Sequence, residues 1–90
     1  MLTAFVLISA EPNRIADLAT ELAEVDGVAE AYSTAGDADI VAIVRVQHHE
    51  ALADVVTKQI ASHRGIVATR TLVAFQAFSQ RDVAAMWEFD

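Results

Sequence analysis

From Leu22 to Val28 the chain reads LAEVDGV, and 38 residues further on, from Ile60 to Ile66, it reads IASHRGI. Leu22 falls on Ile60, Gly27 on Gly65 and Val28 on Ile66, so two segments leave through the same Gly-aliphatic step into a β-compatible run. Identity between the halves is low, but the pattern is shared. Ahead of the first step, Ile15, Leu18, Ala19, Leu22 and Val25 recur at three- and four-residue spacing, with Arg14, Asp17, Glu21 and Glu24 facing away. That spacing predicts an amphipathic helix ending near Asp26-Gly27, with Asn13 as its N-cap. Ahead of the second step, a helix beginning near His48-His49-Glu50 carries Leu52, Val55, Val56 and Ile60 on its apolar side, and Gly65 ends it.

Four β-rich runs complete the reading. Leu2 to Ala10 is closed by Glu11-Pro12-Asn13, Val28 to Thr34 is short, Asp39 to Gln47 is the clearest strand, and Ile66 to Ser79 reads as a long last one. Residues 1–79 therefore form one β-α-β-β-α-β domain, with 80–90 as a C-terminal tail. This order predicts an α+β, ferredoxin-like fold, a four-stranded antiparallel sheet with both helices on one face.

Strand alternation tests whether the other face is wet. Leu2, Ala4, Val6 and Ile8 oppose Phe5 and Leu7, and Ile40, Ala42, Val44 and Val46 oppose Val41 and Ile43. A sheet with one solvated face alternates apolar with polar, whereas here both faces are largely apolar. The expected remedy is packing against a second copy to give a dimeric α+β barrel. The alternative is that the tail covers the open face.

Composition points the same way. With 54% hydrophobic and 21% charged residues in 90, the chain is apolar for its length, while folding at this size hides only roughly two thirds of the surface. A homo-oligomer is expected. Thirteen acids against six bases give a net charge of −7, which disfavours direct contact with nucleic acid. The absence of cysteine excludes disulfides, thiolate nucleophiles and zinc fingers. No apolar run approaches the ~20 residues that span a bilayer, and Met1-Leu2-Thr3 lacks the basic stretch of a secretory signal. A cytoplasmic protein without a membrane partner is expected.

Catalytic signatures are missing from the sequence. His48 and His49 are adjacent and His63 is remote, so no metal-ligand spacing occurs, and capping or helix-dipole roles fit them. Ser9, Ser33, Ser62 and Ser79 lack a nucleophile context, and the three glycines form no phosphate-binding loop. Neither cofactor nor metal is expected. The segment Ser33-Thr34-Ala35-Gly36-Asp37-Ala38-Asp39 is the hairpin turn before the third strand. It reads either as an ordinary polar turn or as a pocket for an amino acid. In the second reading Asp37 and Asp39 meet an ammonium, and amides around Gly36 meet a carboxylate. Thr69 and Thr71 share a strand face with Val67 and Val73, as plain β-formers or as the lining of a ligand cleft. Arg70 points the other way, toward Glu30 or a neighbour's acid.

These residues resemble a known family. Asp26-Gly27-Val28, Gly36-Asp37-Ala38-Asp39-Ile40, Gly65-Ile66-Val67 and Thr69-Arg70-Thr71, in this order, look like the effector (RAM) domain of the Lrp/AsnC regulators over residues 2–79. The resemblance implies a ferredoxin-like protomer, a barrel-like dimer, assembly into octamers or similar rings, and amino-acid effectors bound between dimers. By position, Gly36, Asp37 and Asp39 would be the ligand turn, flanked by Ser33 and Thr34 and closed by Thr69 and Thr71 of the same or another subunit. Family regulators carry an N-terminal helix-turn-helix. This chain starts at the first strand and so resembles the stand-alone form. The tail runs past the usual end of the unit, and Ala84-Ala85-Met86-Trp87 reads as a short helix packing on a neighbour or as a frayed end.

The leading expectation is therefore a non-enzymatic effector-binding module. It would sense an amino acid or related metabolite and modulate transcription through a partner, plausibly a full-length regulator of the same family. Two others stand beside it: a small barrel enzyme of the cofactor-free monooxygenase or isomerase type, with Tyr32, the histidines and Trp87 as its candidates, and an assembly scaffold that binds nothing.

Overall fold

Strand β1 (Leu2–Ala10) turns Ala4, Val6 and Ile8 fully into the interior, as its two-residue alternation requires. The computed structural model describes residues 1–80. Strand β3 (Ile40–Val46) buries Ile40, Ala42 and Val44 in the same way. The two strands pair antiparallel from Leu2↔Val46 to Ile8↔Ile40, so their inward residues stand side by side. Strand β2 (Val28–Ser33) pairs with β3, and β4 (Ile66–Val73) pairs with β1, both antiparallel. The order across the sheet is β2-β3-β1-β4, the expected βαββαβ arrangement.

Helix α1 (Ile15–Ala23) lays Leu18 and Leu22 on the sheet. Helix α2 (His49–Asp54) adds Leu52 and continues into a π-helical turn, Val55–Ile60, that adds Val55 and Ile60. With the inward strand residues these form one core. Each fully buried Leu or Ile contributes about 1.5–3 kcal/mol.

The two Gly-aliphatic steps are conformational twins. Gly27 and Gly65 both have φ of 96°, a left-handed backbone that side chains resist. Both also lie against a neighbour: a Cβ on Gly27 would fall 2.9 Å from Val55 Cγ2, and one on Gly65 would fall 2.8 Å from Arg14 Cγ. Glycine at these positions lets the chain leave each helix while the opposite element closes over the turn.

Arg14 departs from the sequence expectation. The helical period had it facing solvent with Asp17 and Glu21, yet it is only 8% exposed. The cause is local winding. Pro12–Arg14 is a 3₁₀ turn, and its tighter pitch rotates Arg14 inward. Its stem lies beneath Gly65, its Nε donates to the Arg64 carbonyl at 3.1 Å, and its Nη2 donates to both Glu21 carboxylate oxygens at 3.1 Å. Asp17 stands 3.6 Å from Nη1. The buried charge is thus paired through one nitrogen shared by both Glu21 oxygens, and it ties the start of α1 to the start of β4.

The same 3₁₀ turn displaces the expected cap. Asn13 lies inside it, Arg14 precedes α1, and no side chain caps that helix. The α-helix ends at Ala23 rather than near Gly27. Tight bonds from Glu24 N–H to the Glu21 carbonyl (3.2 Å) and from Val25 N–H to the Leu22 carbonyl (3.1 Å) carry the chain onward. In the second helical segment His48 is the cap, its Nδ1 accepting from Ala51 N–H at 3.3 Å. The π turn was not foreseen. Its wider winding, with Ala61 N–H on the Val56 carbonyl at 3.0 Å, brings Val55 and Ile60, five residues apart, to one buried side.

The last strand ends at Val73 rather than Ser79. Its register sets Val73 against Ala4 and places Ala74 N–H on the Thr3 carbonyl, where β1 itself begins. The expected helix at Ala84–Trp87, and the tail as a cover for the open face, lie outside the described residues.

Candidate functional site

The β2–β3 turn is closed on itself by Thr34. Thr34 N–H donates to the Asp39 carbonyl at 2.9 Å, and its hydroxyl donates to the Ala38 carbonyl at 2.8 Å. Ala38 is thereby held in a buried position while Gly36 and Asp37 stand exposed at the tip. The two acids of the turn have different roles. Asp39 N–H donates to the Ile8 carbonyl at 2.9 Å, and Asp39 Oδ2 accepts from Ala10 N–H at 2.9 Å. Its side chain so continues the β1–β3 ladder past Ile40, where β3 backbone has run out. Asp37 has no hydrogen bond or ion pair among the described residues.

A cleft of about 260 Å³ lies where this turn meets the sheet, lined by Leu7, Ser9, Asp37, Ala38, Ala68, Thr69 and Arg70. Strand register builds it. Ser9 pairs with Ala68 and Leu7 with Arg70, so two small residues adjoin two larger ones on the sheet face away from the helices. Next to them the β1–β4 pairing slips between Ser9 and Ala10, an irregularity that bends the strands at this corner. Asp37 and Ala38 complete its lining.

Of the seven residues expected at a ligand site, the structure brings Asp37 and Thr69 to this cleft. Ser33, Thr34 and Gly36 shape the turn, Asp39 anchors it to β1, and Thr71 stands opposite Val6, whose side chain is in the core. Ser9, Ala68 and Arg70 were missed as site residues. Their signal is non-local, since only the β1–β4 register makes neighbours of them. Arg70 does face away from the threonines, as expected, but not toward Glu30, because β4 and β2 are opposite edges of the sheet. The cation near Glu30 is Arg45, at 3.9 Å. Tyr32 donates its hydroxyl to Glu30, and this hydrogen bond, with the nearby carboxylate charge, raises its pKa above the ordinary value.

Two other clefts are larger, one of about 570 Å³ lined by Glu21, Asp26, Asp54 and His63 among others and one of about 320 Å³ that includes Phe5 and Arg45. His48 is a helix cap, and His63 Nδ1 is 2.6 Å from the Gln59 carbonyl. Among the described residues no group of three or more His, Cys, Asp or Glu side chains is disposed to hold a metal ion. In the same residues no helix is long and apolar enough to cross a membrane.

Against known proteins, residues 3–84 match the Lrp/AsnC ligand binding domain family. A Thermus thermophilus protein of known crystal structure is 48% identical with a TM-score of 0.83, over 89% of this chain and 100% of that one. Escherichia coli AsnC is 27% identical with a TM-score of 0.78, over 84% of this chain and 52% of AsnC. An uncharacterised HTH-type transcriptional regulator of Pyrococcus furiosus is 33% identical over 81% of this chain. The chain spans about half the length of that regulator, 51%.

Proposed function

The chain belongs to the Lrp/AsnC ligand-binding domain family, and from that premise we propose that it senses an amino acid or related small metabolite and modulates transcription through a partner regulator. The observation that carries the reading is the cleft beneath the Gly36-Asp37-Ala38-Asp39 turn, with an Asp37 carboxylate that the fold itself does not use. At about 260 Å³ it lies below the roughly 300–1,000 Å³ of drug-sized sites, which suits a ligand of amino-acid size. Asp37 meets the ammonium, Thr69 adjoins the ligand, and Ser33, Thr34, Gly36 and Asp39 hold the turn in place. Thr71 supports the adjacent strand.

Assembly is the second half of the proposal. The open sheet face presents Phe5, Tyr32 and Leu72 at 37%, 49% and 51% exposure, beside half-buried Leu7, Val41 and Ile43. A second copy laid on this face forms the dimeric barrel, and dimers associate further into an octamer or similar ring. The module works in the cytoplasm as a binding protein rather than an enzyme. Residues 1–79 make up the effector-binding domain and 80–90 a tail outside it.

A thermal-shift panel of the twenty amino acids at millimolar concentration, on wild type and Asp37→Asn, tests the reading. Ligand at a hundred times its Kd stabilises by about 2.7 kcal/mol, several degrees for a domain of this size. The expected result is a shift for one or a few amino acids that is absent in the variant. A flat panel for wild type overturns amino-acid sensing and favours a scaffold.

A further inference from the structure

We infer that Arg70 is the carboxylate anchor of this cleft, so that the site selects zwitterions by holding both of their charges. The inference rests on the effector-binding reading above. Among the described cations, Arg14, Arg45 and Lys58 each lie within 4.0 Å of an acidic side chain. Arg64 and Arg70 have no ion pair there, and of these two it is Arg70, whose side chain makes no hydrogen bond among the described residues, that lines the cleft.

Register explains how it reaches the site. Arg70 stands opposite Leu7 and two positions along from the Ser9–Ala68 pair, on the same face, and lines the cleft with Asp37 and Ala38. Asp37 and Arg70 therefore line one cleft without pairing with each other, together with the apolar Leu7, Ala38 and Ala68. A carboxylate, a guanidinium and apolar surface in one cleft complement a small molecule bearing an ammonium and a carboxylate. The guanidinium fork matches a carboxylate bidentately. Asp39, which the sequence offered as an equal partner of Asp37, is engaged with Ala10 N–H and leaves the anion-binding task to β4.

Calorimetry on the full chain tests this, using each of the twenty amino acids and, for every one that binds, its α-carboxamide. Arg70→Gln is expected to weaken the amino acid about ten- to a hundredfold, as loss of a charge-assisted contact does. Arg70→Lys should be intermediate, keeping charge without the fork. Wild type should discriminate against the carboxamide, and Arg70→Gln should not. The inference falls if Arg70→Gln binds like wild type and still prefers the acid, while Asp37→Asn is impaired; the effector reading then survives. It also falls if Arg70→Gln alters oligomeric state on size exclusion while keeping its preference for acid over amide, which assigns Arg70 to assembly. If wild type binds none of the twenty, the effector reading fails and this inference with it.

Discussion

The two faces of the sheet are built from neighbouring residues of the same strands, and they behave as different materials. On the helix side Ala4, Val6, Ile8, Ile40, Ala42 and Val44 are completely buried and apolar. On the other side the intervening Phe5, Leu7, Val41 and Ile43 stay partly exposed, and charged or hydroxylic residues interrupt them: Glu30, Arg45, Arg70, Tyr32 and Ser9. One face has one task, to exclude water. The other combines an apolar centre suited to a second copy with a polar corner suited to a small ligand. The first face holds the core, and the proposed assembly and ligand surfaces lie on the second.

The sharpest way to break this contrast is to put the same charge on adjacent residues of β3. Val44 is buried between Ala4 and Val28, so Val44→Asp should cost at least about 4 kcal/mol and leave the chain largely unfolded by circular dichroism. Ile43 lies on the open face between Phe5 and Glu30. Ile43→Asp should keep a folded protomer but abolish self-association in light scattering. An Ile43→Asp protein with wild-type oligomeric state would remove the open face as the assembly surface.

A smaller effect tests what clamps the helical cover. Gly65→Ala forces a Cβ into a left-handed backbone and against Arg14, so a loss of about 1–3 kcal/mol is expected from chemical denaturation. A neutral result would mean that Arg14 and its pair with Glu21 can shift freely.

Next come the two acids of the turn. Asp39→Ala should lower stability by about 1–2 kcal/mol, because Ala10 N–H loses its acceptor. Asp37→Ala should leave stability within about 0.5 kcal/mol, as an exposed substitution does. Equal stability losses in the two variants would dissolve the division between anchor and ligand group.

The smallest expected effect is spectroscopic. The Tyr32 phenol, held protonated by Glu30, should titrate above its ordinary value in ultraviolet absorbance, and Glu30→Gln should bring the midpoint down. Because the folded state holds this proton more tightly, the associated stabilisation is present below the ordinary tyrosine range and lost as pH rises through the folded value. An unmoved midpoint would show that Glu30 and Tyr32 do not interact in solution.

Much of this was legible in the chain. The repeated Gly-aliphatic step marked both helix exits, and β1 begins and ends where its composition suggests. The Gly36-Asp37-Ala38-Asp39 turn was visible as a candidate site, because turn chemistry is local. Arg14, Val55–Ile60 and the end of β4 at Val73 depart from the regular periods that the sequence suggests. Arg14 departs because the Pro12–Arg14 3₁₀ turn rotates it inward, and Val55–Ile60 because its π winding brings Val55 and Ile60 to one buried side.

By itself the sequence determined element order, the buried side of each strand and the position of the polar turn. These depend on periodicity, glycine conformation and turn residues, all of which act over a few positions. Only the tertiary structure decided which of two similar aspartates is free, and that Ser9, Ala68 and Arg70 share a cleft with one of them. Those facts depend on strand register between segments some sixty residues apart, as Leu7 opposite Arg70 shows. A change of one residue in that register would turn Arg70 to the opposite face.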